Sequence, residues 1–447
     1  MLFGSQKITQ DGHFQIGGCD SVELAKQFGT PLYVMDEAFL RQRMRQYREA
    51  FGKRYPKTSI NYAGKAFLTT AMCKIVEQEG LNLDVASGGE LFTAMQAGFP
   101  AERIEMHGNN KSAREIDLAL DYGVGRIIID NLLEVDMLAQ AAAERNKVQP
   151  VLVRTTPGVD PKTHRLISVG QEDTKFGLSM KDGSAMEAAW KATAHPNLSF
   201  QGIHCHVGSQ LMDGDAQVQA ADVMCRFMRE IQDVTGQAVP ELNLGGGLGI
   251  KYLESQNPCT VDEYAEMVVN AVNQALAKYE LEPPLLAHEP GRSIAGQAGV
   301  TLYTIGAIKK MPIPQDPGER IYVNIDGGMS DNPRPQLYDA VYEAFVANRA
   351  DQPKTMRVRV SGKHCETDIL IQDTHIQTAE TGDILVIPGT GAYNYSMASN
   401  YNRLPRPAVV LVSDGSADII VKRETLEDLV RQDVIPARLN QGSASAG

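Results

Sequence analysis

The chain has 447 residues, with 22% charged and 43% hydrophobic residues and a formal net charge of −12 at pH 7. Its length suits a barrel joined to a second folding unit, and the acidic balance argues against nucleic acid, whose phosphates need a basic surface. No apolar stretch approaches the roughly 18 residues of a membrane span and the N-terminus carries no signal-peptide pattern, so we expect a cytoplasmic protein without a membrane partner.

In chain order, residues 1–35 predict short strands and turns, and eight short apolar runs follow. Each run ends in polar, glycine-rich or ionisable residues, and seven are separated from the next by a stretch long enough for a helix. The runs are 60–65, 83–87, 104–108, 127–131, 151–154, 203–209, 242–247 and 286–292. This alternation is typical of a (β/α)8 TIM-like barrel, which we place at residues 36–295.

The stretches between the runs carry apolar residues at three- and four-residue spacing, as amphipathic helices do. The predicted helices are 89–98, 112–122, 132–146, 216–235 and 261–279. Several begin beside a residue that can cap a helix, such as Ser112, Asn131 or Thr260.

After Arg292 the pattern changes, because strand-like runs now lie close together with turn signals between them. The runs are 300–308, 320–325, 356–360, 384–387 and 408–412. They predict a mainly β domain over residues 296–440, which the opening residues 1–35 would join. The Ser/Gly/Ala-rich tail 441–447 is predicted to be disordered. The predicted fold class is therefore α/β, a barrel plus a mainly β domain.

Two of the strand ends suggest a site for an aldehyde and a phosphate. The first run ends at Lys65, whose amine can form an imine with an aldehyde if its pocket favours the neutral form. Taken alone, a lysine at a loop start is more often a surface residue. Gly245, Gly246 and Gly247 end the seventh run, and their bare amides can close around phosphate oxygens. A tight strand-to-helix turn explains three glycines equally well.

The eighth run ends in Glu289, Pro290, Gly291 and Arg292, at the position where many barrels bind phosphate. Arg292 can pair with a phosphate or a carboxylate, and Gly291 offers an unhindered amide. Glu289 can keep a pyridine nitrogen protonated. An ordinary surface ion pair is the simpler interpretation of the acid and the arginine.

The sixth run contains two histidines and leads to Ser209. The ring of His206 can stack on a flat cofactor while Ser209 bonds a phosphate, but His204 alternates with His206, and their roles stay open. A metal site is rejected, because no carboxylate or third histidine lies at metal-site spacing nearby. The six cysteines form no CxxC pair, which indicates free thiols.

A lysine, a stacking ring, a glycine-rich turn and an acid–arginine pair thus stand at four different strand ends. Their combination favours a site for an anionic, phosphorylated aldehyde. With these residues the sequence resembles the pyridoxal-phosphate decarboxylases of the alanine-racemase-like fold, and among them the diaminopimelate decarboxylases. The resemblance covers most of the chain through the segments 62–66, 84–91, 108–111, 175–177, 206–210, 245–249, 289–292, 334–338 and 398–402.

The resemblance implies pyridoxal 5'-phosphate as the cofactor and gives each matching residue a role. Lys65, Cys365 and Glu289 would be catalytic, with Lys65 holding the cofactor covalently and Cys365 donating a proton. Cofactor contacts would come from Lys65, His206, Ser209, Gly246, Gly247, Glu289, Pro290, Gly291, Arg292 and Tyr393. Substrate contacts would come from Arg292, Arg334, Tyr338, Glu366 and Tyr393. Because Cys365 and Glu366 would enter from a partner subunit, the resemblance also implies a homodimer with shared active sites.

One segment departs from the usual pattern of the family. Cys365, Glu366, Thr367 and Asp368 follow each other directly, whereas the family usually has one more residue before the aspartate. The cysteine and the glutamate are present, so their roles are kept as expectations. The departure concerns the loop that would meet the far end of the substrate.

The implied activity is decarboxylation of meso-2,6-diaminopimelate to L-lysine and CO2, the last step of lysine biosynthesis. An alternative is a decarboxylase of the same fold that acts on ornithine, lysine, arginine or a carboxylated polyamine. The short loop at Cys365 is compatible with this alternative, whereas segment 334–338 argues against it. An amino-acid racemase is disfavoured by Glu289, which promotes the electron-rich state that a racemase limits. A non-enzymatic protein of pyridoxal-phosphate homeostasis would resemble the barrel alone, and the β-rich part argues against it.

Overall fold

A computed structural model describes residues 1–159, 174–313 and 318–439. The chain begins with a small antiparallel sheet, helix α1 and strand β4. These elements are β1 (Lys7–Ile8), β2 (Phe14–Ile16), β3 (Cys19–Asp20), α1 (Ser21–Phe28) and β4 (Leu32–Asp36). The predicted tail 441–447 lies outside the described residues. None of the described helices combines the length and the apolar character needed to cross a membrane.

Eight parallel strands follow and form a closed ring, since each pairs with the next and the last pairs with the first. They are β5 (Thr58–Ala63), β6 (Asn82–Val85), β7 (Ile104–Met106), β8 (Arg126–Ile129), β9 (Gln149–Thr156), β11 (Leu198–His204), β12 (Glu241–Asn243) and β13 (Leu285–His288), and β10 (Leu178–Ser179) pairs with β9 outside the ring. Each strand of the ring coincides with one of the apolar runs, as expected for parallel strands that are covered on both sides. The predicted barrel is confirmed.

Helices cover the outside of the barrel. They are α2 (Glu37–Gly52), α3 (Thr70–Gln78), α4 (Gly88–Gln96), α5 (Ala113–Tyr122), α6 (Leu132–Glu144), α7 (Ser184–Ala194), α8 (Asp215–Thr235), α9 (Val261–Lys278) and α10 (Arg292–Ala295). Helix α5 begins at a capping box of Ser112 with Glu115, and α9 at one of Thr260 with Glu263. Helix α2 precedes the first barrel strand and packs against α9, which closes the helical layer.

The residues after the barrel are mainly β. Their strands are β14 (Gly299–Pro312), β15 (Glu319–Ile325), β16 (Phe345–Val346), β17 (Met356–Ser361), β18 (Ile369–Ile376), β19 (Ile384–Pro388), β20 (Ala408–Ser413) and β21 (Ser416–Val421), and their helices are α11 (Arg334–Tyr338) and α12 (Leu426–Val430). Strand β4 lies between β14 and β20 in the order β18-β17-β15-β14-β4-β20-β21, and β19 pairs with β14 and β16. The N-terminal segment therefore contributes a central strand to the C-terminal sheet.

Loops of this β part lie over the mouth of the barrel. The backbone N–H of Tyr393 donates to the carbonyl oxygen of Ala66 at 2.8 Å, and Ser396 Oγ donates to the same oxygen at 3.2 Å. Ala66 directly follows the predicted cofactor lysine. The carboxyl ends of the strands, where barrels carry their chemistry, thus meet the β part of the chain.

Candidate active site

A cavity of about 350 Å³ opens at the carboxyl ends of the barrel strands. Its volume is within the range of small-molecule sites. The predicted residues that line it are Lys65, His206, Ser209, Glu289, Arg292, Arg334, Tyr338 and Tyr393. The predicted Gly246, Gly247, Pro290 and Gly291 belong to the turns that carry or adjoin these side chains. One cavity thus collects residues that lie far apart in the chain.

Lys65 lies in a single 3-10 turn directly after β5, and its side chain is exposed to the cavity. Burial lowers the pKa of Lys65, but the negative charges of Asp84, Tyr393 and Glu289 have the opposite and larger combined effect. The pKa of Lys65 therefore lies above its ordinary value. The pocket therefore favours the ammonium form of the lysine. This is the opposite of the condition set for a neutral amine in the sequence analysis, because the carboxylates outweigh burial.

Glu289 is buried directly after β13 and accepts hydrogen bonds at both carboxylate oxygens. His204 Nε2 lies 3.1 Å from Oε2, and Asn243 Nδ2 donates to Oε1 at 2.8 Å. His107 Nε2 lies 3.1 Å from Oε1. Burial alone would raise the pKa of Glu289, but His204 and His107 hold it well below its ordinary range. Glu289 is thus an anion in the cavity wall.

The reason given for rejecting a metal site is wrong. His107, His204 and Glu289 each place one ligand atom within 4.8 Å of the others. His107 belongs to a different strand end, so spacing along the chain could not reveal it. His204 Nε2 forms a hydrogen bond with Glu289 at 3.1 Å, whereas His107 Nε2, also 3.1 Å from Glu289, forms an ion pair without hydrogen-bond geometry. This hydrogen bond and this ion pair between the two imidazoles and the carboxylate are the contacts that the cluster makes in the structure.

His206 follows β11, and its ring borders the cavity. The backbone N–H of Gly246 donates to His206 Nδ1 at 3.3 Å, and burial lowers the pKa of His206 well below its ordinary value, so the ring is neutral. Gly247 has a φ of 135°, a conformation that favours glycine. A Cβ on Gly246 would lie 2.2 Å from the carbonyl oxygen of Glu289. The glycine turn can therefore approach its neighbours closely only without side chains.

A tyrosine connects the two predicted arginines. The hydroxyl of Tyr252 accepts hydrogen bonds from Nη1 of Arg292 and of Arg334, each at 2.8 Å. Arg292 also donates to Ser209 Oγ at 3.0 and 3.2 Å, and Arg334 donates to Tyr342 at 2.7 Å. Both guanidinium groups are buried, and neither forms a salt bridge with a carboxylate among the described residues. Because buried cations need a partner, this pair indicates an anionic ligand.

The two predicted tyrosines border the same arginines from the β part. Tyr338 ends α11, the helix that begins with Arg334, and is half-buried. The guanidinium carbon of Arg292 lies 4.7 Å from the centre of the Tyr393 ring. Tyr393 has a φ of 61°, an unusual conformation for a residue with a side chain. Such conformations often occur at functional sites.

Cys365 and Glu366 are exposed and do not line this cavity. Asp368, with a φ of 39°, closes the short loop and contacts the Nδ1 atom of His364 at 2.6 Å through its carboxylate. The shortened loop is therefore a tight turn anchored by a buried aspartate, with the cysteine and the glutamate on the surface. Entry of these two residues into the cavity of a partner subunit stays a prediction.

Residues 37–296 match the family described as "Pyridoxal-dependent decarboxylase, pyridoxal binding domain". This chain belongs to that family. A diaminopimelate decarboxylase of Bacillus subtilis (strain 168) is 45% identical to this member over 434 residues, which are 97% of this chain and 98% of the relative. A diaminopimelate decarboxylase of Synechocystis is 44% identical, and the match covers 97% of this chain and 92% of the relative.

Solved structures of the family share the whole architecture. The diaminopimelate decarboxylase of M. jannaschii in complex with L-lysine has a TM-score of 0.90 and 35% identity, and the match covers 98% of this chain and 100% of the other. The enzyme of that name from Helicobacter pylori, also with L-lysine, has a TM-score of 0.82 and 31% identity over 92% and 98% of the two chains. The barrel with a β part is thus the common fold.

The cavity of this pyridoxal-dependent decarboxylase fits pyridoxal 5'-phosphate. Lys65 offers an amine for the aldehyde once its ammonium form has lost a proton, and Arg292 with Ser209 offers a buried anion site that no carboxylate fills among the described residues. Glu289 offers an anion for the pyridine nitrogen, and the neutral ring of His206 offers a flat face. The residues present therefore fit the aldehyde, the phosphate, the pyridine nitrogen and the ring face of the cofactor.

Some residues of the cavity had no role in the sequence analysis. Asp84, His107, Arg154 and Phe176 also line it. The first three close or adjoin the ends of apolar runs, so the barrel rule that singled out Lys65 applies to them as well. Tyr252 lies in an irregular loop after β12, and no pattern in the sequence indicated that it would join two arginines.

Proposed function

We propose that this decarboxylase converts meso-2,6-diaminopimelate to L-lysine and CO2. The observation that carries the proposal is Arg334, a buried cation beside the lysine-bearing cavity that has no carboxylate partner among the described residues. Relatives that match over nearly the whole chain and are named diaminopimelate decarboxylase support it. The substrate has two carboxylate groups, of which the reaction removes one and keeps the other.

Arg334 would bind the carboxylate that is kept. Among the described residues, its Nη1 makes both phenol hydrogen bonds, to Tyr252 and Tyr342, which leaves Nε and Nη2 for a bidentate contact. Tyr338 and Tyr393 would border the substrate from the same side. Lysine and ornithine carry no distal carboxylate and would leave the buried guanidinium unpaired, which is costly.

The residues of the barrel would supply the other steps. When bound, pyridoxal phosphate accepts the electron pair that remains on the α-carbon after CO2 has left. Lys65 would hold the cofactor covalently until the substrate amine takes its place, while Arg292, Ser209 and the glycine turns hold its phosphate. Glu289 would keep the pyridine nitrogen protonated, and His206 would lie against the ring. Cys365 would donate a proton to the α-carbon in place of the lost carboxylate.

Glu289→Gln is expected to retain the cofactor but to slow turnover. The change removes a charge-assisted contact worth about 1.5–3 kcal/mol, which corresponds to about a tenfold to hundredfold loss in kcat if it is expressed in the transition state. Bound cofactor is measured by visible absorbance and kcat by CO2 release. A variant with the kcat of the wild type would exclude this role for Glu289.

Cys365→Ala is expected to slow formation of lysine, because the proton donor at the α-carbon is lost. The measurement is the rate of lysine formation in heavy water together with the deuterium content of the product. Cys259→Ala is the matched control, since Cys259 does not line the cavity and should not affect either value. A rate of lysine formation that is the same in Cys365→Ala and wild type would remove the thiol from the mechanism.

We also propose a homodimer in which Cys365 and Glu366 enter the cavity of the partner subunit. Both are exposed and lie outside the cavity of their own chain, which supports an action on a second copy. Mixing Lys65→Ala with Cys365→Ala should then give activity above that of either variant alone, because hybrid dimers contain one intact site. Failure of all mixtures to regain activity, with hybrids shown by differential tagging, would contradict shared sites.

The protein is further proposed to work in the cytoplasm. All six cysteines are free, which is usual in a reducing compartment. Fractionation of cells that produce the protein, with a cytoplasmic marker enzyme as control, tests this location.

A substrate panel with purified holoenzyme tests the proposed activity. meso-Diaminopimelate, lysine, ornithine and arginine are compared by CO2 release, with identification of the amine product, and exchange of the α-proton is followed in parallel. Fastest CO2 release from meso-diaminopimelate is expected. Preference for another amino acid would contradict the substrate, proton exchange without CO2 would indicate a racemase, and no turnover on any compound would favour a cofactor-homeostasis protein.

A further inference from the structure

Among the described residues, strands β6, β7 and β12 and the residue after β13 carry the buried carboxylates of Asp84, Glu105, Glu241 and Glu289. Glu241 pairs with Arg126 at 3.0 Å. The other three face a single buried ring, that of His107. Its Nε2 atom lies 3.1 Å from Glu289, 3.8 Å from Asp84 and 3.9 Å from Glu105. The proposed function gives this histidine no role, although it stands at a strand end of the barrel.

Both imidazoles that contact Glu289 lower its pKa, His204 first and His107 next, and of the two His107 is the one whose own pKa is raised. Asn243 is a neutral amide, and burial lowers the pKa of His204 to about 4, so that its ring is neutral near pH 7. Burial would also lower the pKa of His107, but Asp84, Glu289 and Glu105 raise it to about 10. Lys65 and Arg154 add positive charge near Asp84 from the cavity side. His107 is therefore an imidazolium that packs edge-on against neutral His204, with ring centres 4.9 Å apart.

We infer that His107 is a positioning residue whose buried positive charge keeps Glu289 ionised, so that Glu289 can keep the pyridine nitrogen of the cofactor protonated. The inference rests on the proposed function and adds a residue to it. Burial already raises the pKa of Glu105 to about 7, so this carboxyl can hold a proton near neutral pH. Without the positive charge of His107, the remaining buried carboxylates would repel each other, and a further proton would bind among them. A neutral Glu289 could not hold the pyridine nitrogen in its charged form.

The test uses holoenzyme reconstituted with pyridoxal phosphate that carries nitrogen-15 in its pyridine ring. The chemical shift of this nitrogen distinguishes the protonated from the unprotonated ring, a signal that a merely structural role of His107 would not change. Wild type is expected to show the protonated form at neutral pH, and His107→Gln, which keeps a donor but lacks the charge, the unprotonated form. The kcat of His107→Gln should fall about tenfold to hundredfold, with little change in KM.

His204→Gln is the matched control, because it replaces a neutral ring with another neutral hydrogen-bond donor. The nitrogen-15 signal of the cofactor in this variant should remain that of the protonated pyridine. A protonated signal in His107→Gln, or an unprotonated signal in wild type, would overturn the inference. Should His107→Gln fail to fold, the smaller neutral variant His107→Asn replaces it, with the same expectation. CO2 release by the wild type tests the proposed function separately. If the wild type decarboxylates diaminopimelate and the pyridine signal of His107→Gln equals that of the wild type, the inference about His107 is contradicted but the proposed function is not.

Discussion

Lys65→Ala is expected to abolish covalent attachment of the cofactor and to lower kcat by at least about 10³-fold. Among the described residues that line the cavity, Lys65 alone carries a primary amine, so no neighbour can replace it. The side chain is exposed to the cavity and its loss removes no core contact, so the fold should remain intact. CO2 release gives kcat, visible absorbance reports the attached cofactor, and circular dichroism checks the fold.

Lys57→Ala is the control for this prediction. Lys57 directly precedes strand β5, and Lys65 lies two residues after the end of the strand. The amine of Lys57 donates to the carbonyl oxygen of Pro283 at 3.2 Å on the surface. The control variant should retain the activity and the absorbance of the wild type. Turnover by Lys65→Ala at a rate comparable to that of Lys57→Ala would contradict the assignment of the cofactor lysine.

Arg334→Ala is expected to lower kcat/KM for meso-diaminopimelate roughly a hundredfold to several thousandfold. Removing one partner of a buried charge pair costs about 3–5 kcal/mol, or about two to four decades in rate. Cofactor affinity should change far less, because Arg292 and Ser209 would make the phosphate contacts. L-lysine, which has no distal carboxylate, should inhibit wild type and variant to a similar degree. Steady-state kinetics and the inhibition constant of L-lysine measure both effects.

Two further variants make this prediction specific to the geometry of Arg334. Arg334→Lys keeps the charge but loses the planar fork, so it should recover only part of the activity. Arg357→Ala removes an exposed arginine that pairs with Asp373 at 2.6 Å, and it should behave like wild type. If diaminopimelate turnover by Arg334→Ala matched that of Arg357→Ala, the distal carboxylate would have to bind elsewhere.

The barrel could be predicted from the sequence because its strands are covered on both sides and appear as short apolar runs. In the β part, strands β14, β15, β17, β19 and β20 were predicted from their apolar runs, and β16, a buried strand of two residues, was missed. Strand β18 and strand β21 were missed, because each carries several exposed polar or charged residues and lacks a continuous apolar run. The position of β4 between β14 and β20 depends on pairing between distant segments, which no local pattern contains.

For the site, the strand-end rule grouped Lys65, His206 and Glu289, and all three line one cavity. It could not show that His107 lies beside Glu289, because that contact depends on how the strands stagger around the ring. For the same reason, the sequence did not show that a second histidine and a carboxylate lie beside His204 at the spacing of a metal site. The connection of two arginines through one tyrosine likewise arises from the packing of the β part on the barrel.

Reductive trapping of the wild-type holoenzyme tests the central claim most directly. The protein is reconstituted with pyridoxal phosphate, reduced with borohydride and digested, and the modified peptide is mapped by mass spectrometry. The account predicts a single cofactor adduct on the peptide that contains Lys65, with loss of the yellow absorbance. An unmodified Lys65, or an adduct on another lysine, would contradict it.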